Sequence, residues 1–364
     1  MLSPKTKRNI YRIIPFGLIW FVFSMVYTLI EKGLLGDATH YPATGNVYSF
    51  SASIPLAGIT ALCAGLLIGT VETLYLNKVF IKRSYFIKII YKTGVYLVVM
   101  ISFLVINTLI GNALRLQVNV FDEQVLNDLW SFLSNFAFWS IEIYIAAIIG
   151  VSLFYAEVSD NLGQGVLANF FTGKYHLPVE EERIFMFLDM KSSTTIAEKL
   201  GHVKYFEMLK EYYSDLSDPI IEHDGEIYQY VGDEVIVSWK LQNGLLNNNF
   251  IKCFYSMKQA IEKQRIKYEQ NFGVVPTFKA GFHYGKVTTG EIGVIKKEII
   301  FTGDVLNTTA RIQALCNDYK VDNLISSQLV TIMNANTKFI LKNLGENELR
   351  GRDEKVELYT ALLS

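Results

Sequence analysis

Four long apolar stretches fill the first part of the chain, near residues 11–30, 54–76, 89–110 and 131–153. Each is close to the roughly 20 residues that cross a bilayer as a helix. Three further stretches follow the first, and no small-residue cleavage site closes it, so a cleaved leader is a poor reading. The pattern predicts four transmembrane helices. Past residue 180 the runs shorten and change period. Arg183–Leu188 reads Arg-Ile-Phe-Met-Phe-Leu and ends in Asp189, which suits a buried strand. Glu226–Tyr230 and Glu234–Trp239 alternate and are joined by Val231-Gly232-Asp233, which predicts a hairpin with Asp233 at its tight turn. Ala280–Gly293 reads as a strand with glycines at 281, 285, 290 and 293, and Gly303-Asp304 opens a helix.

Between the two halves the character changes over residues 155–182. Glu157 and Asp160 appear, then Gly163, Gly165 and Gly173, then Pro178 and the acidic run Glu180–Glu182. Val158–Phe171 predicts a short helix broken by its glycines, and Pro178 a stop before the next strand. The organisation read from this is a membrane domain over 1–154, a connector over 155–182 and a soluble domain over 183–364.

Charge supports that division. Of 34 Lys/Arg and 35 Asp/Glu, residues 1–155 hold 11 and 7, leaving 23 and 28 for the rest. The net charge of −1 carries no basic excess that would suit nucleic acid. A mean hydropathy of +0.24 excludes a disordered chain. Three cysteines, Cys63, Cys253 and Cys316, form neither a disulfide framework nor a zinc spacing. Lys5, Lys7, Arg8 and Arg12 precede the first stretch, and Lys78, Lys82, Arg83 and Lys88 separate the second from the third. The other two loops carry Lys32 and Arg115, so both termini and the soluble domain are expected on the cytoplasmic side of a cell membrane. Glu142 falls near the middle of the fourth stretch. A signalling role there competes with a neutral carboxyl facing Asn107 or Asn135 inside the bundle.

Asp189 is followed by Lys191-Ser192-Ser193-Thr194-Thr195, where helix-start amides and hydroxyls make a seat for phosphate. Alone, this could equally be an ordinary N-cap. A hairpin-tip acid beside a strand-end acid, however, lets two carboxylates share a pair of divalent ions. Asn307 and Arg311 are four apart and share a helical face, an amide and a guanidinium able to reach one ligand.

Phe187-Leu188-Asp189-Met190-Lys191-Ser192-Ser193-Thr194, Tyr230-Val231-Gly232-Asp233-Glu234, the glycine-rich strand and Gly303-Asp304-x-x-Asn307-x-x-x-Arg311 occur in an order that resembles the catalytic domain of class III nucleotide cyclases. The resemblance implies an α/β ferredoxin-like domain acting as a homodimer, here behind a membrane α-helical bundle. It implies two Mg²⁺ or Mn²⁺ ions on Asp189, Asp233 and the Met190 carbonyl, with Ser192, Ser193 and Thr194 around the β- and γ-phosphates. Asn307 and Arg311 would come from the other subunit as the transition-state pair. Arg352 is the choice for a triphosphate contact, with Arg350 and Lys355 as rivals, and His223 and His283 are read as structural.

The base-selecting positions of the family fall on Gln229 and Ile300. Adenylate cyclases commonly carry Lys and Asp or Thr there, and guanylate cyclases Glu and Cys. Gln can donate and accept, whereas Ile offers no hydrogen bond. ATP is favoured on family frequency, with GTP and a pyrimidine triphosphate open. A catalytically silent nucleotide-binding module is the competing reading, which retention of all four site residues disfavours. The Gly-Gly-Asp/Glu-Glu-Phe signature of diguanylate cyclases is not met by Val231–Val235.

Overall fold

A computed structural model describes residues 2–42, 47–76, 84–163, 165–334, 339–348 and 355–363, with the side chains of residues 107 and 115 also outside the description. The loop cations Lys78, Lys82 and Arg83, and the Asn107 side chain, therefore lie outside the described residues. The chain divides into two compact units, one of Thr6–Gln164 and one of Gly165–Ser364 together with Met1–Lys5.

The first unit holds α1 (Pro4–Leu35), α2 (Phe50–Leu74), α3 (Tyr85–Leu116), α4 (Glu123–Ser134) and α5 (Phe136–Leu162). All but α4 are long and apolar enough to cross a membrane. The fourth span starts later than its hydropathy suggests. Asn135 breaks the apolar run, its side chain accepting the Ala137 amide at 2.8 Å to cap α5, and the preceding residues form the amphipathic α4. Phe16, Trp20, Ile68, Tyr96, Ile148, Ile149 and Leu153 make the bundle core. A Cβ on Gly65 would stand 2.6 Å from the Phe16 carbonyl, so α1 and α2 touch through backbone, as small residues allow in lipid. Glu72 and Lys92 are buried together as an ion pair, with the Tyr96 hydroxyl donating to Glu72 at 3.1 Å. Glu142 is 3% exposed, and neither carboxyl oxygen has a partner among the described residues.

The second unit opens with α6 (Val166–Thr172), which Gly173 ends in a left-handed conformation. After Pro178 come β1 (Val179–Met190), α7 (Ser193–Leu200), α8 (His202–Glu222), β2 (Glu226–Val231) and β3 (Glu234–Lys240). Next are α9 (Leu241–Leu245), α10 (Asn249–Lys263), α11 (Arg265–Phe272), β4 (Phe278–Ile292), β5 (Glu298–Thr302) and α12 (Asp304–Ala314). The last elements are β6 (Asn323–Ser326), α13 (Ser327–Ile332), β7 (Phe339–Glu348) and β8 (Lys355–Leu363). The sheet order is β2-β3-β1-β4-β6-β8-β7, with β5 on β4.

Alternation in β1 serves two faces. Ile184, Met186 and Leu188 pack with α8 and α10 through Tyr212, Leu216, Phe250, Phe254 and Met257. Phe185 and Phe187 face the other way, toward Ile236, Val287 and Val305 of α12. On that second face α12 crosses β4 at Gly281, where an added Cβ would stand 2.4 Å from the Gln313 amide nitrogen. Neither backbone can yield locally, so Gly281→Ala is expected to cost about 1–3 kcal/mol. A urea unfolding midpoint unchanged from wild type would contradict the close approach.

Candidate active site

Asp189 ends the two-faced strand on the α12 side. Its register partners are Glu234 on β3 and Lys279 on β4, and directly paired residues point to one face. Asp233 occupies the two-residue turn beside Gly232, whose φ of +63° only glycine adopts freely. The turn brings the Asp233 carboxyl within hydrogen-bonding reach of Asp189. Burial, and then Asp233, push the Asp189 carboxyl above the usual range, while Lys279 works against them. Burial, with Asp189 and Asp233 behind it, pushes Glu234 up to about 7. Two carboxylates crowded in this way are a donor set that a divalent cation relieves. Mg²⁺ characteristically takes one or two carboxylates and completes its shell with substrate oxygens, and among the described residues no group of three or more acidic, His or Cys side chains forms a cage. The residues fit the implied ions.

The Met190 backbone continues β1 by one residue before the chain turns into α7. Ser192 makes that turn with φ +56°, a left-handed conformation that a serine adopts at a cost. The Lys191 amide is held by the Thr277 carbonyl at 2.8 Å, and the Ser192 carbonyl accepts Ile196 N–H at 3.0 Å. Ser193 and Thr194 therefore stand in the first turn, where amides lack intrahelical acceptors.

Two neighbours of Asp189 were not visible in the sequence. Lys279 Nζ lies 3.3 Å from Asp189 Oδ2 and donates to Asn317 Oδ1 at 3.1 Å. Gln313 Nε2 donates to Asp189 Oδ2 at 3.2 Å. Register and helix packing, rather than any local motif, create both contacts.

Gln313 belongs to the inward face of α12 with Val305, Thr308, Thr309 and Ile312, all buried. At 100° per residue, Asn307 and Arg311 project on the opposite side of the helix, away from their own sheet. Asn307 is exposed; Arg311 is half-buried, and its Nη1 has no hydrogen-bond acceptor among the described residues. The acids and the amide–guanidinium pair thus face apart within the chain.

β2 contains a bulge. Ile227 pairs with Val237 and Gln229 with Ile236, leaving Tyr228 as the extra residue. Bulges shift the phase of the strand, and this one puts Gln229 on the Ile236 side, the face that carries Asp189. Ile300, on β5, lies opposite Gly290 of β4. Their chain neighbours meet directly, with the Tyr228 and Phe301 rings 4.7 Å apart and the Phe301 amide donating to the Tyr228 hydroxyl at 3.3 Å. Arg350 and Arg352 lie outside the described residues. Lys355, their rival, pairs with Glu348 at 3.5 Å. His283 and His223 are hydrogen-bonded to Ser326 and Ser256 at 2.8 and 2.9 Å, as structural histidines would be.

Comparison with known proteins identifies the family and the fold. The adenylate and guanylate cyclase catalytic domain matches residues 179–362. Adenylate cyclase 2 of Rhizobium meliloti (strain 1021) is 33% identical over 217 residues, 60% of this chain and 60% of that protein. Adenylate cyclase 1 of the same organism is 27% identical over 185 residues, 49% of this chain and 27% of that one. The chain thus spans less than two thirds of either relative. A bacterial light-regulated adenylyl cyclase structure shares the fold with a TM-score of 0.53 at 20% identity, over 63% of this chain and 66% of that chain. With a match over half its length, following the order of the motifs around Asp189, Asp233 and Asn307, the chain belongs to the adenylate and guanylate cyclase catalytic domain family.

Proposed function

We propose that this protein is a membrane-anchored adenylate cyclase, converting ATP to 3′,5′-cyclic AMP and pyrophosphate at sites shared by two copies of the chain. The observation that carries the reading is the opposed display on each protomer. Asp189 and Asp233 meet on the sheet face, while Asn307 and Arg311 leave α12 on its far side. A second copy related by a two-fold axis supplies to each protomer what that protomer turns outward, giving two equivalent sites.

The chemistry follows from these groups. The ribose 3′-oxygen forms a bond to the α-phosphorus as the bond to the pyrophosphate oxygen breaks. Asp189, Asp233 and the Met190 carbonyl would hold the two Mg²⁺ or Mn²⁺ ions, which supply charge neutralisation and a lowered hydroxyl pKa when bound. Ser192, Ser193 and Thr194 receive the β- and γ-phosphates at the first turn of α7, with Arg352 as a further cationic contact. Asn307 orients the ribose, and Arg311 neutralises charge developing on the α-phosphoryl group. Residues 1–154 anchor the enzyme as a multi-pass span, 155–182 connect, and 183–364 catalyse on the cytoplasmic side. ATP is the proposed substrate, supported by the relatives named as adenylate cyclases.

Incubating the purified full chain in detergent with Mn²⁺ and each of four nucleoside triphosphates, with mass detection, tests the reading. Cyclic AMP as the main product is expected, and absence of every cyclic product would overturn it. Gln229→Lys with Ile300→Asp gives the base edge of adenine its usual partners and is expected to raise the ATP:GTP ratio of kcat/KM about tenfold or more. An unchanged ratio would remove Gln229 and Ile300 from base reading.

A further inference from the structure

Arg183 is a charged residue in an apolar strand, yet it is 2% exposed. Its Nε donates to Glu181 at 2.9 Å, and its Nη1 donates to Glu226 at 2.8 Å and to Ser238 at 3.0 Å. Its guanidinium carbon lies 4.6 Å from the centre of the Phe301 ring. One side chain thus ties β1 to β2, β3 and β5. Apolar packing of the same volume would serve stability as well as a buried ion pair does. What a planar guanidinium adds is fixed direction, since each donor commands one acceptor.

Among the described residues, the two strands it joins, β2 and β5, have no backbone link to each other. Among the described residues β2 is an edge strand carried by β3, and β5 pairs with β4 alone. The Phe301 ring nevertheless reaches Phe185 on β1 at 5.6 Å and Tyr228 on β2 at 4.7 Å, so β5 lies over the face of the sheet. Side chains, not a ladder, set the distance between β2 and β5. Gln229 is three residues beyond Glu226, and Ile300 immediately precedes Phe301.

The network continues to the segment between α6 and β1. Glu181, which holds Arg183, also accepts from the Tyr175 hydroxyl at 3.0 Å and from Thr289 at 3.3 Å. Tyr175 is 5% exposed, and its carbonyl accepts the Glu291 amide at 2.9 Å. His176 lies 3.0 Å from the Glu291 carboxylate, and Pro178 stands against Gly290, the residue paired with Ile300.

We infer that Arg183 is a positioning residue that fixes β2 against β5 and thereby the base preference of the site, and that Tyr175 ties the connector to this adjustment through Glu181. The inference rests on the cyclase reading above. It predicts that base preference moves while phosphoryl chemistry does not, because neither residue touches Asp189, Asp233 or α12 in the contacts described.

The test measures kcat and KM for ATP and GTP, with thermal unfolding midpoints, for the full chain and for Arg183→Lys, Glu226→Gln and Tyr175→Phe. Arg183→Lys keeps the charge but loses the fork. It is expected to change the ATP:GTP ratio of kcat/KM by about threefold to tenfold, mainly through KM. Glu226→Gln and Tyr175→Phe are expected to move the ratio in the same direction by less. Should Arg183→Lys lose its unfolding transition, the two milder variants carry the test. Folded variants with the wild-type ratio, or with kcat reduced equally for both nucleotides, would overturn the inference and leave the cyclase reading standing. A wild-type chain that forms no cyclic product would overturn both.

Discussion

Asp189→Asn and Asp233→Asn are each expected to lower metal-dependent cyclisation by about a thousandfold or more, the several kcal/mol that divalent ions contribute to a phosphoryl transition state. The substitution keeps shape and removes charge. Burial, and then Asp233, raise the Asp189 carboxyl, so removing a charge relieves both. Asp189→Asn also takes a carboxylate from Lys279 and Gln313, and a small net change in stability is expected. Loss of activity with an unfolding midpoint close to that of the wild type is therefore the expected pair of results. The same variants should lose the ability to bind Mn²⁺ in a titration followed by water-proton relaxation. An Asp233→Asn enzyme that turns over normally would remove the hairpin acid from the site.

Arg311→Ala is expected to reduce kcat by about 10²- to 10³-fold with a small change in KM, because the guanidinium acts on charge that appears only in the transition state. Its Nη1 is buried without an acceptor among the described residues. A buried donor left unpaired is costly, so on the proposed reading an incoming phosphoryl oxygen would improve the state of Arg311. Truncation removes that cost, and the variant should fold. Steady-state kinetics showing a raised KM at full kcat would instead assign Arg311 to ground-state binding.

Much of this architecture is legible in the residues. The four spans are continuous and long, the strand ending in Asp189 is bounded on both sides, and Gly232-Asp233 marks its own turn. What escapes is whatever depends on partners distant in the chain. Gln313 meets Asp189 across 124 residues, through the crossing of α12 over β4 at Gly281. The bulge at Tyr228 shifts the phase of β2, and period-two reading of Glu226–Tyr230 gives no sign of it. Arg183 reads as the polar edge of an apolar run and is buried because Glu226, 43 residues on, accepts its charge. The break at Asn135 is hidden for a different reason. An apolar run continues through it, and one capping side chain decides where the helix begins.

The proposed sharing of the site between two copies is tested most directly by complementation. An Asp233→Asn chain and an Arg311→Ala chain, carrying different affinity tags, are co-expressed and the mixed dimer is isolated by sequential capture. On the proposed assembly each parent homodimer would have two defective sites. The mixed dimer would have one site with both lesions and one with neither, so it should recover about half of the wild-type turnover. Verified mixed dimers as inactive as either parent would contradict the assembly of Asp189 and Asp233 with Asn307 and Arg311 of a second copy.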